Sequence, residues 1–598
     1  MSVLTRFLRT YGTPHLRSYG LGVLFLLATT GLTVAVPALV QRVVDAMTTN
    51  RPGDAINLAW AIAGAGVAVM VVRTLSRVLF FNPGRVIEFD LKSDLFAKLL
   101  RLPRPWFDYM RPGDIVSRGT NDAAAVRGFI GFGSLQVFNV FLLLLLTIGQ
   151  MALTDVMLTA VCVLPLTAAA LVLRVAIRRL FTLTSLYQQE IAALSSRALE
   201  AYGGMPVLQS FNAVPVAQAR FDEGNARMLK VSEDTAAVQS WLLPIVDVVG
   251  NLCLVLVLFV GGQRIIDRDF TPGELAAFAG YVRIVAGGLT SLGWLVNALQ
   301  RGWISLKRLY EILDAPLDNA VRSAPAFPES APALAIRDLT FTYPTSAEAK
   351  LGASREPALS DINLVIPAGQ ALGIFGETGS GKSTLLQLLA RIYQAPQGTI
   401  TADGRDLLDY DVETYWQHCA WVSQEPWLFS QSLRDNIALA DAPDQRPANR
   451  VEASATLASL DEDLKAFPEG LETRVGERGV TLSGGQRQRA ALARAFYRDF
   501  KLLLLDDVLS AVDHATEKRL IDAIYAHRRD ATKVFVSHRV SALKHCNRII
   551  VLERGRIIAS GTHDSLLADT DGPYYKAWRL QQARAESRSD AEGEAAHA

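Results

Sequence analysis

Long apolar segments constrain the fold of this 598-residue chain more than any other feature of its sequence. A helix needs about 20 residues to cross a hydrocarbon core roughly 30 Å thick. Six segments in the first half of the chain are long and apolar enough to do so, and they cover residues 19–40, 56–80, 137–153, 156–177, 241–261 and 275–295. The sequence therefore predicts a multi-pass, all-α transmembrane domain of six helices over residues 1–314.

The first apolar segment resembles a secretion signal only superficially. Arg6, Arg9 and Arg17 precede it, as basic residues precede a signal. However, residues 19–40 are too long for the apolar part of a signal, and they lack a clear cleavage site of small residues. We therefore expect this segment to stay in the protein as a transmembrane helix.

Basic residues predict the orientation of the chain in the membrane. They are frequent between the second and third segments and between the fourth and fifth, whereas the opposite loops offer only Arg51, Arg264 and Arg268. Because loops rich in Lys and Arg stay in the cytoplasm, we expect the two long segments, both termini and the second half of the chain to be cytoplasmic. The expected location is the plasma (inner) membrane.

The two long cytoplasmic segments allow two interpretations. They could be solvated loops, or they could be helical extensions that carry the transmembrane bundle toward a second domain. Residues 186–201, with their run of Gln, Glu, Ala, Leu and Arg, favour helical extensions. Each segment contains one break suited to a turn between two extensions, at residues 111–114 and 202–206.

Two charged residues stand out inside the apolar segments. Asp247 lies in the fifth segment and Arg283 in the sixth. An intramembrane charge is costly and normally faces a cavity or a partner, so one interpretation places both residues in a substrate cavity. The alternative is that Asp247 lies near the cytoplasmic interface and is simply hydrated. The sequence leaves both interpretations open.

Net charge and cysteine content exclude some classes of function. The net charge of +1 gives no reason to expect a nucleic-acid partner. The four cysteines, Cys162, Cys253, Cys419 and Cys546, are far apart and have neither metal-ligand spacing nor a disulfide framework. We interpret them as buried thiols rather than as redox groups.

The composition changes after the last apolar segment. Prolines and small residues mark a linker over residues 315–333, and short strands and helices then alternate over residues 334–580. This pattern predicts an α/β domain, which the glycine-rich loop at residues 376–384 assigns to the P-loop NTPases. Residues 581–598 are rich in Ala, Glu, Arg and Ser and are predicted to be a disordered tail.

A glycine-rich loop lies between a predicted strand, residues 371–375, and a predicted helix, residues 385–390. It reads Gly376, Glu377, Thr378, Gly379, Ser380, Gly381, Lys382, Ser383 and Thr384. The order strand, P-loop and helix indicates a phosphate-binding site rather than a structural turn. The glycines let backbone amides approach phosphate oxygens, Lys382 brings a positive charge to the terminal phosphates of ATP, and Ser383 offers a hydroxyl ligand to Mg²⁺.

A pair of carboxylates supplies the second half of this site. Residues 502–505 are four consecutive leucines, predicted to form a fully buried strand, and Asp506 and Asp507 follow directly. Ligand groups lie at the carboxyl ends of parallel strands, so Asp506 is suited to hold Mg²⁺ directly or through water. Asp507 should point toward an attacking water. Two merely solvated acids would leave the upstream P-loop unexplained.

Residues 482–486 read Leu-Ser-Gly-Gly-Gln and resemble the signature motif of ABC-transporter ATPase domains. Further motifs follow the order of that family: Tyr343 in FTYP, Gln424 in VSQEP, Glu477 in VGERG, residues 510–513 in SAVD, and His538 in VSHR. Six spans with two long extensions ahead of one ATPase domain resemble an ABC exporter half-transporter. The resemblance covers nearly the whole chain.

The resemblance implies roles for these residues. Tyr343 would stack on adenine, Gln424 would serve both the Mg²⁺ site and the attacking water, and His538 would touch the terminal phosphate. In this family each nucleotide lies between the P-loop of one subunit and the signature motif of the other. Ser483, Gly484, Gly485 and Gln486 would therefore contact an ATP molecule held by a partner subunit.

One residue departs from the family pattern. The magnesium aspartate is normally followed by a glutamate that polarises the attacking water, and here that residue is Asp507. A carboxylate drawn back by more than about 1 Å can cost roughly a hundredfold in rate, so we expect this chain's own site to bind ATP and hydrolyse it slowly. The asymmetry resembles the degenerate-site subunit of heterodimeric bacterial multidrug ABC exporters. It favours a homologous half-transporter as partner, with a slow homodimer as the alternative.

Three functions fit these observations. The first is export of a small amphipathic molecule, such as a drug, lipid or peptide, by alternating access driven by ATP and Mg²⁺. The second is import, because some siderophore importers resemble exporters in all these motifs. The third is a nucleotide-gated channel or regulatory subunit, in which the Asp507 site serves binding alone. The partners expected are a half-transporter, the lipid bilayer and the substrate, without nucleic acid.

Overall fold

The computed structural model describes residues 2–110, 112–317, 324–344, 356–476, 479, 481–510 and 512–583. The chain divides into two compact units. The first combines Met1–Leu100 with Pro112–Ala315, and the second combines Arg101–Arg111 with Pro316–Ala598.

The first unit is all-helical. Its helices are α1 (Val3–Phe7), α2 (Leu16–Thr48), α3 (Pro52–Leu99), α5 (Pro112–Ser117), α6 (Ala123–Gly128), α7 (Ser134–Thr154), α8 (Val156–Gly203), α9 (Met205–Ser210), α10 (Val214–Ile266) and α11 (Pro272–Leu313). The short helix between α3 and α5, α4 (Arg104–Tyr109), belongs to the second unit. Helical turns of π or 3₁₀ type occupy Leu8–Gly12, Thr13–His15, Arg118–Asp122 and Phe129–Gly133.

Five helical stretches among the described residues are long and apolar enough to cross a membrane: Val3–Thr48, Pro52–Leu99, Pro112–Thr154, Val156–Gly203 and Asp247–Ile266. Each contains one of the predicted apolar segments or most of it. The sixth predicted segment, residues 275–295, lies within α11. The protein is therefore a multi-pass membrane protein, and the count of six spans stays a prediction.

The interpretation of the two long segments between the apolar segments as helical extensions is confirmed. Helices α3 and α8 have 48 residues each and α10 has 53. At about 1.5 Å per residue they run to roughly 70 Å or more, about twice the thickness of a hydrocarbon core. The extra length continues each span as regular helix.

The break predicted at residues 202–206 is confirmed, because Gly204 separates α8 from α9. The break predicted at residues 111–114 is displaced toward the N-terminus, because Pro112–Ser117 is already helical. Each turn contains a short helix with a break on both sides: α4 lies between Leu99 and Pro112, and α9 between Gly203 and Val214. Prolines explain the geometry of the first turn. Pro103 has an extended backbone, with ψ 153°, and is the N-cap residue of α4, so the chain leaves the helical conformation between α3 and α4.

The second unit contains two sheets. Its strands are β1 (Leu334–Phe341), β2 (Leu359–Ile366), β3 (Ala371–Gly376), β4 (Ile400–Ala402), β5 (Arg405–Asp406), β6 (Cys419–Val422), β7 (Leu502–Asp506), β8 (Thr532–Val536), β9 (Arg548–Glu553) and β10 (Arg556–Gly561). A four-stranded antiparallel sheet has the order β2-β1-β4-β5. The six-stranded sheet has the order β10-β9-β3-β8-β7-β6, and all its neighbouring strands are parallel except β10 and β9.

Helices cover this larger sheet, as they must when a parallel sheet is buried on both faces. The helices of this unit that follow α4 are α12 (Lys382–Leu389), α13 (Val412–His418), α14 (Leu433–Ile437), α15 (Ala448–Leu457), α16 (Asp461–Ala466), α17 (Gly484–Tyr497), α18 (His514–Ala526), α19 (Val540–Leu543) and α20 (His563–Ala568). Of these, α12, α13, α17, α19 and α20 contact strands of this sheet. Every residue of β3, β7 and β8 is buried. The predicted fold class, a helical transmembrane domain followed by an α/β P-loop NTPase domain, is confirmed.

Both ends of the predicted ATPase domain carry ordered contacts beyond residues 334–580. Phe327, inside the predicted linker, is buried and meets the rings of Tyr410 and Tyr415 edge-on at 5.2 and 4.9 Å. Gln581, the first residue of the predicted tail, is helical and bonded to the residues around His538. Residues 318–323 of the linker and 584–598 of the tail lie outside the described residues.

Candidate functional site

The P-loop joins the end of β3 to the start of α12. Gly379 and Gly381 have φ angles of 83° and 99°, which side chains rarely adopt. At Gly376 an added Cβ would lie 2.3 Å from the carbonyl oxygen of Leu552. No side chain caps α12. The backbone amides of its first turn are therefore available to an anion.

Lys382 is the first residue of α12 and is only 6% exposed. Its Nζ donates to the carbonyl oxygens of Gly376 and Glu377, at 2.9 and 2.6 Å. Burial lowers the pKa of Lys382, while the carboxylates of Asp506 and Asp507 act in the opposite direction. A buried ammonium group held by neutral carbonyls beside uncapped amides fits the phosphates of a nucleotide.

Asp506 ends β7, opposite Val536 of β8, and is buried. Burial raises the pKa of its carboxyl group, and the neighbouring charge of Asp507 acts in the same direction. The Ser383 hydroxyl and the Lys382 ammonium group oppose that shift. The residues predicted to hold Mg²⁺ thus include a hydroxyl and a carboxylate that already interact.

Asp507 is also buried, and its backbone has a φ of 48°. Burial raises the pKa of its carboxyl group, and the nearby His538 opposes the shift both by its charge and by its backbone N–H. One of its two carboxylate oxygens, Oδ1, is buried and has no hydrogen-bond partner among the described residues. Because an unsatisfied buried oxygen is costly, Oδ1 is suited to a water or another donor supplied with the nucleotide.

Gln424 and His538 reach the same edge of the sheet. Gln424 follows β6 and His538 follows β8, the two strands on either side of β7. Because these strands are parallel, their carboxyl ends lie together with that of β3. The structure therefore brings together the P-loop, both aspartates, His538 and the start of the Gln424 loop.

Tyr343, the predicted adenine-stacking residue, is hydrogen-bonded to two side chains of α12, the helix that follows the P-loop. Its hydroxyl is 2.9 Å from Thr384 Oγ1 and 3.1 Å from Gln387 Oε1. Its ring stands edge-on to Phe341 and Tyr393, with centroids 5.2 and 5.0 Å away. The ring is therefore fixed beside the P-loop.

Two residues outside the recognised motifs, Tyr393 and Asp108, extend this set of contacts from Tyr343 to α4. The hydroxyl of Tyr393 donates to the carboxylate of Asp108 on α4, 285 positions earlier in the chain. Burial and this bond raise the pKa of Tyr393 to about 12. Within the second unit, α4 is thus connected through Tyr393 and Tyr343 to Thr384. Such a long-range pair leaves no local signal in the sequence.

The signature residues begin α17. Ser483 and Gln486 form a capping box: Ser483 Oγ accepts from the Gln486 N–H at 3.2 Å, and Gln486 Oε1 accepts from the Ser483 N–H at 2.8 Å. Gln486 also donates to Asp463 Oδ1 at 3.1 Å. Gly484 and Gly485 are the first two residues of α17; Gly485 is buried and Gly484 is partly buried.

The signature motif is not brought to the P-loop of the same chain. Helix α17 packs against α14, α15 and β6, whereas α12 packs against β3, β7 and β8. Across the described parts of the chain, no hydrogen bond or ion pair joins residues 483–486 to residues 376–384. Glu477 and Ala511, which belong to two further motifs, lie outside the described residues.

Two family models match most of the chain. The model for the ABC transporter transmembrane region matches residues 19–289, and the model for the ABC transporter ATPase region, described as "ABC transporter", matches residues 359–510. The chain belongs to the ABC transporter family. It is a transmembrane region fused to an ATP-binding domain, as the resemblance implied.

Relatives and a solved structure support this assignment over most of the chain. A probable multidrug resistance ABC transporter ATP-binding/permease protein of Bacillus subtilis, YheI, is 32% identical over 84% of this ABC transporter and 84% of its own length. An ATP-dependent lipid A-core flippase of Photobacterium profundum is 30% identical over 86% and 87%. The fold matches that of a bacterial Atm1-family ABC exporter, with a TM-score of 0.81 over 94% and 98% of the chains at 23% identity.

Proposed function

We propose that this chain is one half of an ATP-driven exporter of small amphipathic molecules that works by alternating access. The observation that carries the proposal is one edge of the sheet, where the P-loop, Asp506, Asp507 and His538 converge, in a chain with long membrane-spanning helices. Two relatives, a probable multidrug resistance transporter and a lipid A-core flippase, support an amphipathic substrate. The proposal includes a transmembrane domain over residues 1–314 and an ATPase domain over residues 334–580. The protein lies in the inner membrane, and its ATPase domain is in the cytoplasm.

Each residue of the site has a definite role in this proposal. The amides of Gly376 and of residues 378–384 hold the ATP phosphates, Lys382 neutralises them and Tyr343 lies against the adenine. Ser383, Asp506 and Gln424 hold Mg²⁺, which, when bound, stabilises the negative charge on the phosphates. His538 contacts the terminal phosphate. Asp507 orients the attacking water.

We further propose that this chain's own site turns over slowly. The Asp507 side chain is one methylene shorter than glutamate, and its Oδ1 lacks a partner on the described chain. A general base held out of reach by about 1 Å loses roughly a hundredfold in rate. The intact signature, with Ser483 and Gly485 facing the terminal phosphate, would complete a competent site on a homologous half-transporter that carries the glutamate.

The test compares the purified chain alone with the chain co-expressed with its half-transporter partner, both in lipid nanodiscs. We expect ATPase activity of the pair to exceed that of the single chain by about a hundredfold, and Asp507→Glu to raise the activity of the single chain by at least about tenfold. Asp444→Glu, at an exposed site with the same added methylene, is the matched control. Brisk hydrolysis by the unmodified homodimer would refute the slow site.

Direction of transport has its own test. The pair is reconstituted in inverted membrane vesicles with a fluorescent amphiphile, and ATP-dependent accumulation inside the vesicles is expected for an exporter. ATP-dependent loss from preloaded vesicles would instead favour an importer. Flux that continues when hydrolysis is blocked in the partner would favour a nucleotide-gated channel.

A further inference from the structure

A cavity of about 540 Å³ lies within the first unit, between α2, α3, α7 and α11. Its size is within the range of about 300 to 1,000 Å³ that small-molecule sites occupy. Three arginines line it: Arg73 and Arg77 from α3, and Arg283 from α11. All three lie inside predicted spans, at residues 56–80 and 275–295.

The positive charge of this cavity is uncompensated. Among the described residues that line it there is no Asp, Glu or His. Within the described ranges, Arg73, Arg77 and Arg283 make no ion pair or hydrogen bond, and all three side chains are exposed. Arg73 and Arg77 are also one helical turn apart, a spacing at which like charges repel. Unpaired cations are costly in a membrane helix, so their presence indicates a ligand that offsets the charge.

The rest of the lining suits the head of an amphiphile. The hydroxyls of Thr29, Thr30 and Thr33 donate to carbonyl oxygens of their own helix at 2.8 to 2.9 Å, and so line the wall as polar groups already satisfied by the protein. Leu26 and Leu143 add apolar surface. Guanidinium groups bind phosphate and carboxylate oxygens in pairs of parallel bonds.

We propose that this cavity binds the oxyanionic head group, of phosphate type, of an amphiphilic substrate. The inference rests on the proposed export function, because it names the chemical class of the cargo. An anion among the three guanidinium groups neutralises charge that the protein leaves exposed. A cationic amphiphile of the same chain length would be repelled.

The experiment measures binding to the full-length chain in a neutral detergent, without nucleotide, by native mass spectrometry. The probes are dodecyl phosphate, dodecyltrimethylammonium and inorganic phosphate. We expect dodecyl phosphate to bind at least tenfold more tightly than the other two. Because no ATP is used, failure of this binding and failure of ATP-driven transport are separate results.

The variant Arg73→Gln/Arg77→Gln/Arg283→Gln is expected to weaken dodecyl phosphate binding by at least tenfold. Arg283→Gln alone, which keeps most of the lining if the triple variant does not fold, should weaken it by at least threefold. Arg174→Gln removes an exposed arginine of α8 that does not line the cavity, and should leave affinity unchanged. Equal binding by the triple or single variant, equal binding of the cationic probe, or equally tight binding of inorganic phosphate would each overturn the proposal.

Discussion

Asp507 combines several energetically unfavourable features. It is buried, its backbone is in the left-handed region, and one carboxylate oxygen has no partner among the described residues. A raised carboxyl pKa means that protons bind the folded protein more tightly than the unfolded chain. The free energy of unfolding therefore falls as the pH rises from the ordinary pKa of 3.8 through the raised one.

Asp507→Asn should remove that loss and stabilise the ATPase domain by about 1 kcal/mol at about pH 8, because a neutral amide is cheaper to bury than a charge. The difference should shrink as the pH falls through the raised pKa toward 3.8, since the carboxyl group of the folded protein then becomes protonated. Thermal unfolding of the full chain in detergent measures the difference at both ends of this range. Asp444→Asn, at an exposed position, is the control. A destabilised Asp507→Asn protein at about pH 8 would contradict this reasoning.

The short helix α4 is the element whose role the sequence motifs did not reveal. It is held in the second unit by the bond from Tyr393 to Asp108, which in turn is paired with Arg104 at 3.2 Å. Tyr393 stands edge-on to Tyr343, which is bonded to the helix after the P-loop. These contacts form a continuous connection from the helix after the P-loop to α4 through two aromatic rings.

Tyr393→Phe tests this connection, since it keeps the ring and removes the hydroxyl. Loss of one hydrogen bond of about 1 kcal/mol should speed hydrogen exchange in residues 104–109 by about fivefold. Tyr575→Phe, whose ring contacts Trp578 at 5.8 Å, is the matched control and should leave exchange in α4 unchanged. Unaltered exchange in Tyr393→Phe would mean that other contacts hold α4.

At the scale of the whole molecule, the separation of the signature motif from the P-loop predicts two opposite phenotypes. Ser483→Arg should leave ATP binding at this chain's P-loop intact and lower turnover of the co-expressed pair by about a hundredfold, because it places a bulky cation in the partner's site. Lys382→Ala should do the reverse, weakening ATP binding to this chain by at least about tenfold while the partner's site still turns over. Labelling with a photoreactive ATP analogue and ATPase assays separate the two. Identical effects of both substitutions would contradict a shared site.

Much of this architecture could be predicted from sequence because it depends on local pattern. Segment length and apolarity predicted the long helices, and the four leucines from Leu502 to Leu505 predicted a strand that the structure shows to be fully buried. The break at residues 111–114 was placed less accurately, since proline and glycine mark a turn without specifying the short helix inside it. Arg73 and Arg77 lie within a predicted span, but the high average apolarity of residues 56–80 gives no sign that the two arginines line a cavity.

The residues joined across long distances could not be predicted. Asp108 and Tyr393 are 285 positions apart, and neither belongs to a recognisable motif. The orphaned Oδ1 of Asp507 likewise depends on how β7 and β8 pack, which the sequence does not encode locally. The roles of the P-loop, signature and acidic residues remain predictions that the experiments above address.

The capping box at the start of α17 fixes the Ser483 side chain in advance of any subunit association. Ser483 accepts a bond from the Gln486 N–H while its own hydroxyl proton stays free for an incoming oxygen, since a hydroxyl both donates and accepts. The rotamer is thus selected before any second subunit arrives. In the proposed shared site, little side-chain entropy would remain to be lost when this surface meets a nucleotide-loaded partner, because the Ser483 side chain is already ordered.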